Sequence, residues 1–517
     1  MLMLVASVIE KTDVVNKISN ILFTTDKPKF SMLKLTFSTA FISAFINNTA
    51  VVASFLGFVK NNNKFPPSKY LIPMVYAVSL GGMITLIGTS TSLVINGLMI
   101  DKGIKSFELF DFSYIGIPVT ICGIIYLVFL GYKLMPANVV IEEIKSLDYF
   151  LEAKVIKNSS LIGKTIEANG IRNLKNIFLA ELIRNEKLIS PVSPDEVVQE
   201  GDVFVFTGDI SKIHELQKFN GLKILEEKDK QLIGNLQEAI ISHQSNLIGK
   251  TLKESRFRTK FDASVVAVKR LNEKLSGKLG SITLKAGDTL ILAAGSDFHK
   301  RDNIRNNFYL ANKLPLNNPL FGLKGIIATG CFFAAILLSA TGVMPLVKSL
   351  LIVLFIFLVT NYTSIGELKN TIPFGLILLI GSSLGIAQVM IDCGAAKLIA
   401  EGIIGIFGKW GVMGNLIGIY LFAFIITQFV TNNAAGALSF PIAYSAAHEL
   451  GVNPLPFMMA IAFAASASYL TPFGYQTNLM VYSIGQYKFL DYIKIGLPLA
   501  IIYSIIVILL IPLFFKF

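Results

Sequence analysis

Long apolar stretches alternate with short polar ones along most of the chain. A hydrocarbon layer of about 30 Å takes roughly 20 helical residues to cross. Apolar runs near that length lie at 71–100, 114–135, 323–342, 345–361, 373–391, 413–430, 456–484 and 493–512. The pattern therefore predicts a multi-pass α-helical membrane protein.

Four of the apolar segments are interrupted by polar residues. The runs 71–100 and 456–484 each contain a polar, glycine-bearing stretch near their middle. Shorter apolar arms flank two asparagine pairs, with 35–46 and 50–59 around Asn47-Asn48, and 416–430 and 434–447 around Asn432-Asn433. Because backbone breaks are not tolerated against lipid, we expect re-entrant hairpins whose tips line a cavity inside the protein.

The two apolar halves resemble each other in three ordered places. The matched segments are 45–50 with 430–435 at an offset of 385, 88–93 with 474–479 at 386, and 116–118 with 496–498 at 380. Loops around 24–34 and 60–69 are rich in lysine, whereas the corresponding loops of the second half hold only Lys409. The positive-inside rule then places the matched loops on opposite sides of the membrane and predicts inverted repeats.

A charged segment separates the halves. Residues 137–321 contain 27 Lys/Arg and 23 Asp/Glu, which predicts a soluble insert. The insert repeats at an offset of 86, with 161–165 matching 247–251. We expect strands at 151–157, 203–207, 237–242 and 289–293, a short helix at each Gly-Lys-Thr, and a helix over 210–219. Because the glycine five residues before a Walker Gly-Lys-Thr is absent, the insert is not predicted to be an ATPase.

These boundaries predict four domains. Residues 1–136 form a first, incomplete transmembrane repeat, 137–225 and 226–314 form two small α+β domains, and 315–517 form the second transmembrane repeat. Residue 1 aligns near position 382, so the counterpart of 322–381 is absent from the first half. We therefore expect this sequence to start downstream of the ancestral start.

Composition excludes several function classes. Hydrophobic residues make up 53% of the 517 residues and charged residues only 15%. The net charge of +12 lies mainly in short loops between apolar segments, which favours membrane orientation over nucleic-acid binding. The three cysteines lie far apart, and no nucleophile–base pair, metal-ligand cluster or dinucleotide-binding turn is present. The sequence predicts neither an enzyme nor a bound cofactor.

Uncharged polar side chains at membrane depth are the candidate functional residues. They cluster at both asparagine pairs and in the neighbouring stretches 89–92 and 475–478. The N–H groups at the start of a helix favour anions, and unwound carbonyl groups coordinate small cations. Since no arginine or histidine stands at either pair, an anion here depends on neutral donors, helix ends and a bound cation.

These motifs resemble the divalent-anion:sodium symporter (DASS) family of the ion transporter superfamily. The subgroup in question carries two TrkA-C (RCK-C) domains between its membrane halves. The resemblance rests on the hairpin tips and on the loops Gly88–Leu93 and Gly474–Leu479. The family's Ser-Asn-Thr tip reads Asn47-Asn48-Thr49 and Asn432-Asn433-Ala434 here. It departs at Ala434 and at both loops, where Ser90-Thr91 and Gln476-Thr477 replace the usual prolines.

The resemblance implies roles for individual residues. The substrate anion would be bound by residues of both tips and loops, namely Asn47, Asn48, Thr49, Thr89, Ser90, Asn432, Asn433, Gln476 and Thr477. Two cation sites would be formed by Asn48, Gly88, Thr89, Asn433, Gly474 and Asn478. The resemblance also implies sodium as the coupling ion, a homodimer, elevator-like movement, and a nucleotide or other small ligand on the TrkA-C-like domains.

The sequence thus predicts a secondary transporter of small anions in the cytoplasmic membrane, with the insert 137–314 as a cytoplasmic regulatory unit. Sulfate and dicarboxylates are both open as substrates, and so are sodium and protons as coupling ions. One alternative is a potassium-flux protein regulated by TrkA-C domains. Phe473-Gly474-Tyr475 bears only a weak resemblance to the selectivity-filter sequence of potassium channels. The other is a membrane anion sensor that binds without transporting.

Overall fold

The structure is a computed structural model that divides into two compact units. One unit comprises residues 1–138 and 316–517, and the other comprises 139–315. The residues described are 2–9, 12, 27–60, 64–138, 150–171, 174, 177–185, 187–189, 192–208, 216, 218–225, 236–242, 245–270, 273–275, 279–294, 297–298, 301, 304–310, 322–341, 343–372 and 374–517. Each unit is described below by itself.

The first unit is helical, as its apolar runs predict. Its helices before the insert are α1 (Leu2–Ile9), α2 (Pro28–Ser43), α3 (Asn48–Lys60), α4 (Leu71–Gly82), α5 (Ser90–Asp101) and α6 (Ser113–Tyr126). Helix α6 continues through a π-helical turn, Leu127–Gly131, and a last α-turn, Tyr132–Leu134. A 3₁₀ turn, Pro67–Lys69, precedes α4.

Ten further helices follow the insert among the residues that the structure describes. They are α7 (Leu323–Ala340), α8 (Leu346–Val359), α9 (Ile365–Thr371), α10 (Phe374–Asp392), α11 (Ala395–Phe407), α12 (Gly411–Ile426), α13 (Asn432–Glu449), α14 (Leu455–Ala465), α15 (Gln476–Tyr482) and α16 (Phe489–Phe514). Three described helical stretches are long and apolar enough to cross a membrane: Ser113–Leu134, Ala395–Ile426 and Phe489–Phe514.

The helix breaks lie at the polar stretches of the sequence. Helices α4 and α5 are separated by residues 83–89, and α14 and α15 by residues 466–475. The asparagine pairs interrupt the other two segments, where α3 begins at Asn48 and α13 at Asn432. Each of these segments is therefore two shorter helices rather than one continuous span.

Two glycines let the following helices pack closely against these breaks. A Cβ at Gly116 on α6 would lie 2.3 Å from the carbonyl oxygen of Met83, directly after α4. A Cβ at Gly496 on α16 would lie 2.0 Å from the carbonyl oxygen of Tyr469, which follows α14. Only glycine allows so close an approach. The same contact between a helix and a break thus occurs once in each half.

The second unit contains two antiparallel sheets with the same strand order. The strands of the first are β1 (Phe150–Val155), β2 (Ile177–Arg184), β3 (Lys187–Ile189), β4 (Val203–Gly208) and β5 (Leu222–Ile224), in the order β3-β2-β4-β1-β5. Those of the second are β6 (Leu236–Ile241), β7 (Ala263–Arg270), β8 (Glu273–Lys274), β9 (Thr289–Ala294) and β10 (Phe308–Leu310), in the order β10-β6-β9-β7-β8. Read from its other edge, the second sheet has the order β8-β7-β9-β6-β10, which is the order of the first sheet with five added to each strand number.

An arginine–aspartate pair occupies the same place in each sheet. Arg184 donates two hydrogen bonds to the buried Asp202, at 2.8 and 2.9 Å, and Arg270 does the same to Asp288, at 2.7 Å each. Hydrogen bonding to Asp202 raises the pKa of Arg184, so this guanidinium stays charged. Each pair ties the last residue of β2 or β7 to the turn before β4 or β9.

Two local predictions for the insert have different outcomes. The helix predicted at each Gly-Lys-Thr is wrong, because 163–165 and 249–251 lie in turns. Gly163 and Gly249 adopt φ near +80°, which a helix does not allow, and Thr165 and Thr251 form isolated β-bridges. The helix predicted over 210–219 falls largely outside the described residues.

Candidate functional site

Four helices begin at the polar segments singled out by the sequence. Helix α3 starts at Asn48, α5 at Ser90, α13 at Asn432 and the shorter α15 at Gln476. The first turn of a helix carries N–H groups without intrahelical partners and a partial positive charge. If these four starts meet, they form a region that attracts negative charge without a charged side chain.

The first tip, residues 47–49, bonds to the loop of the opposite half. Ser43 Oγ donates to Asn48 Oδ1 at 2.5 Å, which leaves Asn48 Nδ2 facing Tyr475, to whose hydroxyl oxygen it donates at 2.8 Å. The Thr49 hydroxyl donates to Gln476 Oε1 at 3.4 Å. Asn47 Oδ1 accepts from the Thr49 N–H at 2.9 Å and so caps α3. The predicted residues Asn47, Asn48, Thr49 and Gln476 thus lie together.

The second tip, residues 431–433, makes the reciprocal contact. Ser90 Oγ and Thr91 Oγ1 each donate to Asn433 Oδ1 at 3.0 Å. Thr431 Oγ1 accepts from the Ala434 N–H at 3.4 Å and caps α13. Each tip is therefore hydrogen-bonded to the loop of the other half.

Each loop also packs against the break of its own half through a glycine. A Cβ at Gly88 would lie 2.4 Å from Gly82 O and 2.8 Å from Ser43 O, and one at Gly474 would lie 3.0 Å from Thr427 O. Since Ser43 and Thr427 stand just before the two tips, each loop contacts both tip regions. Two bridging loops thus join residues 47–49 and 431–433 into one site.

The structure corrects the alignment of the two tips by one residue. The sequence match pairs Asn48 with Asn433, at an offset of 385. In the structure, Asn48 and Asn432 are the helix-starting residues, and each contacts the residue five positions earlier, Ser43 or Thr427. Asn433 therefore takes the place of Thr49, and the alanine at 434 removes no hydroxyl from the tip.

The NH₂ group of the Asn432 amide points toward Thr427, Ser468 and Gly474. The inward atom lies 2.5 Å from Ser468 Oγ, 3.0 Å from Thr427 Oγ1, 3.2 Å from Gly474 O and 3.3 Å from Ala465 O. Because carbonyl oxygens only accept, we assign this atom as Nδ2. The inward atom of Asn48 is instead the oxygen that accepts from Ser43.

Several oxygens near the loops are buried without a hydrogen-bond partner among the described residues. They are Ser92 Oγ, Thr477 Oγ1 and Asn478 Oδ1, which lie in the first turn of α5 or α15. The other end of the Asn478 amide donates to Ser468 O at 2.8 Å and Thr471 O at 3.0 Å. Buried oxygens left unpaired cost free energy unless a ligand uses them, and oxygen is the donor that small hard cations prefer. Thr89, directly before α5, is buried as well.

Sequence reasoning missed the residues that support the tips. Gln428 donates to Ala467 O at 2.9 Å and accepts from the Leu470 N–H at 3.2 Å, so it fixes the second loop to α12. Ser43, Thr427 and Ser468 contact the asparagines directly. The available signal was their position, since each is a small polar residue within an otherwise apolar arm.

The fold and the site together define a class of protein. Broken apolar helices bring neutral polar groups and helix starts to one place. This combination is typical of a membrane transporter.

The comparisons identify the family. The sequence pattern of the citrate transporter family, CitMHS, matches residues 1–449 and 336–517. The chain belongs to this family, which lies in the ion transporter superfamily. The narrower DASS assignment and the TrkA-C domains stay predictions.

Several relatives are similar over much of the chain. A Chlamydomonas reinhardtii protein, named as a proposed sulfur deprivation response regulator, is 31% identical over 100% of this chain and 92% of its own length. An uncharacterized transporter of Synechocystis is 31% identical over 96% of this chain and 84% of its length. Sodium/sulfate cotransporter 1 of Chlamydomonas reinhardtii is 30% identical over 68% of this chain and 42% of its length.

Proposed function

We propose that this protein is a secondary active transporter, coupled to sodium, that carries a small anion such as sulfate or a dicarboxylate across the cytoplasmic membrane. The observation that carries the proposal is the reciprocal bonding of tips and loops, Asn48 and Thr49 to 475–476 and Asn433 to 90–91. The names of similar proteins support an anion and sodium, and the family description adds citrate as a candidate.

The anion would bind between the two tips. Its ligands would be the side chains of Asn47, Asn48, Thr49, Thr89, Ser90, Asn432, Asn433, Gln476 and Thr477, together with N–H groups of the helix starts. The residues brought together by the tip–loop hydrogen bonds carry no formal charge. A dianion is therefore stabilised by helix ends and hydrogen bonds, and a co-bound cation adds the missing positive charge.

Sodium would bind at the two corners where a loop packs on a tip. The first corner offers Asn48 Oδ1, the backbone at Gly88 and Thr89, and the unpaired Ser92 hydroxyl. For the second corner the sequence predicted Asn433, Gly474 and Asn478, but Asn432 is the asparagine that contacts Gly474, and Asn433 bonds to the first loop. Nδ2 of Asn432 donates to the oxygens at the second corner. A cation could therefore bind there only if the amide flips so that Oδ1 points toward it.

The larger architecture forms part of the same proposal. The halves would be inverted repeats with re-entrant hairpins, and the tips and loops would move together in a homodimer. The two sheets would be TrkA-C-like domains on the cytoplasmic side that regulate transport by binding a nucleotide or another small ligand. The equal strand orders and the equivalent glycine contacts support the two duplications.

Uptake of radiolabelled sulfate into proteoliposomes tests the proposal. We expect uptake driven by an inward sodium gradient and abolished by Asn48→Ala or Asn433→Ala. A proton gradient alone that drives equal uptake would overturn sodium coupling. Potassium conductance without anion uptake would favour the potassium-flux alternative instead.

A second candidate function is an anion sensor. It is favoured by the relative that covers the whole chain and is named as a response regulator. The discriminating result is sulfate binding to the purified protein, measured by calorimetry, without uptake under any ion gradient.

A further inference from the structure

We propose that Tyr475 and Gln476 set the size of the transported anion and restrict it to a small oxyanion such as sulfate. The inference rests on the proposed function. It assigns to these two side chains a selection against dicarboxylates and larger carboxylates.

The two sides of the site share a backbone but differ in side-chain bulk. Thr89 directly precedes α5 with φ −131° and ψ 141°, and Tyr475 directly precedes α15 with φ −140° and ψ 143°. Ser90 and Gln476 follow as the first helical residues. The second loop therefore places an aromatic ring and a long amide where the first loop places two small hydroxyl side chains.

The larger side chains engage the groups of the first tip that face them. The Tyr475 hydroxyl oxygen accepts a hydrogen bond from Asn48 Nδ2, and Gln476 Oε1 accepts one from the Thr49 hydroxyl. With Asn48 Oδ1 held by Ser43, one N–H of the Asn48 amide and the Thr49 hydroxyl hydrogen are engaged by the second loop. An anion that needs these donors must displace Tyr475 and Gln476.

The second tip is the more open one. Ser90 and Thr91 both bond to Asn433 Oδ1, and Asn433 Nδ2 donates to no described residue in the structure. Asn433 and Ser90 are both half-buried, so they are within reach of a ligand. This tip therefore offers its NH₂ group to an anion without displacing another side chain.

A dicarboxylate has different requirements. Its two charged groups lie at opposite ends of a carbon chain, so each end needs its own set of donors, one at each tip. Sulfate and a dicarboxylate are both dianions, and the charge of the site therefore does not separate them. The space and donors taken by Tyr475 and Gln476 do separate them, because a buried charged group left without donors binds poorly.

The test is the double variant Tyr475→Thr with Gln476→Ser, which places near-equivalents of the first loop's side chains in the second. Sulfate uptake into proteoliposomes is measured with succinate and citrate as competitors and then as labelled substrates. We expect weak competition in the wild type, and competition at least about tenfold stronger, together with succinate uptake, in the variant. Tyr475→Phe keeps the ring and is expected to keep succinate excluded.

The outcomes separate this inference from the proposed function. Wild-type protein that takes up no anion under any gradient contradicts the proposed function. Wild-type protein that carries succinate as well as sulfate contradicts only the size selection. The melting temperature in detergent shows whether the double variant is folded, and unchanged selectivity in a folded variant that takes up sulfate also overturns the inference. If the double variant loses sulfate uptake, the single variants Tyr475→Phe and Gln476→Ser decide. Succinate uptake by Gln476→Ser and not by Tyr475→Phe supports the inference. Exclusion of succinate by both variants contradicts it.

Discussion

At the scale of single residues, close backbone approach distinguishes the two loops. A Cβ added at Gly88 would lie against the carbonyls of Gly82 and Ser43, whereas one added at Gly474 would lie against Thr427, Thr471 and Ser468 at somewhat larger distances. Both loops need glycine, but the first has less room. The two positions are therefore not equally sensitive to an added methyl group.

We predict that Gly88→Ala is more damaging than Gly474→Ala. The new Cβ at 88 meets backbone oxygens at 2.4 and 2.8 Å, and the nearest atoms at 474 are at 3.0 Å. Overpacking of this kind costs about 1–3 kcal/mol, so Gly88→Ala is expected at the upper end, with loss of anion uptake. Thermal unfolding in detergent and uptake assays measure both effects.

The control is Gly97→Ala on α5, where the nearest atom to the new Cβ is Ile380 Cγ2 at 3.8 Å. This variant is expected to unfold at or slightly above the wild-type temperature, because alanine favours the helix. Equal melting temperatures for Gly88→Ala and Gly97→Ala would contradict the close approach.

The sequence predicted the tip residues better than their environment. The stretches around Asn48, Asn433 and Gln476 stood out because amides are expensive within apolar segments. Ser43, Thr427 and Ser468 did not stand out, since a lone serine or threonine in a helix commonly bonds to its own backbone. The one-residue shift was hidden because an offset of 385 pairs both asparagines of one tip with both of the other, whereas an offset of 384 pairs only Asn48 with Asn432.

At the scale of helices, tyrosine hydroxyls bond to backbone carbonyl groups at or beside the breaks. Tyr76 donates to Tyr469 O at 2.6 Å, Tyr492 to Asn478 O at 2.8 Å, and Tyr503 to Phe463 O at 2.9 Å. All three tyrosines are buried. Sequence patterns predicted where the helices break, but not these long-range partners, which only the tertiary fold brings into reach.

We predict that Tyr76→Phe and Tyr492→Phe each lower the free energy of unfolding by about 0.5–1.5 kcal/mol, because each removes a buried hydrogen bond to a backbone carbonyl. Melting temperature in detergent is the measurement. Tyr114→Phe is the matched control, since Tyr114 is 54% exposed and stacks on Phe514. A loss in Tyr114→Phe as large as in the buried variants would argue against the carbonyl contacts as the cause.

The contact between the second tip and the first loop permits a double-mutant cycle. Ser90→Ala and Asn433→Ala each remove one side of a 3.0 Å hydrogen bond. We expect their effects on the stability of the protein to be non-additive by about 0.5–1.5 kcal/mol, since contacting residues share one interaction. Strict additivity would indicate that tip and loop do not bond in the folded protein.

At the scale of the whole molecule, each compact unit contains the same construction twice. In the membrane unit, Gly116 and Gly496 pack on equivalent breaks. In the insert, two sheets have equal strand orders and equal Arg–Asp pairs. The insert strands were predictable from alternating apolar residues, whereas the Gly-Lys-Thr turns were not, because short polar motifs fit a turn or a helix start equally well.

Equivalent construction predicts equivalent response to mutation. Asp202→Ala and Asp288→Ala each remove a buried carboxylate that accepts two hydrogen bonds from an arginine and one from the backbone N–H of Gln199 or Lys285. We expect each to lower local stability by about 2 kcal/mol and so to accelerate amide hydrogen exchange in its own sheet more than tenfold. Mass spectrometry of the full-length protein reads both sheets at once.

Glu108→Ala is the control, because the Lys105–Glu108 pair is 81% and 75% exposed and such pairs contribute about 0–1 kcal/mol. If Asp202→Ala loosens its sheet and Asp288→Ala leaves its own unchanged, the two sheets are not energetically equivalent despite their common strand order.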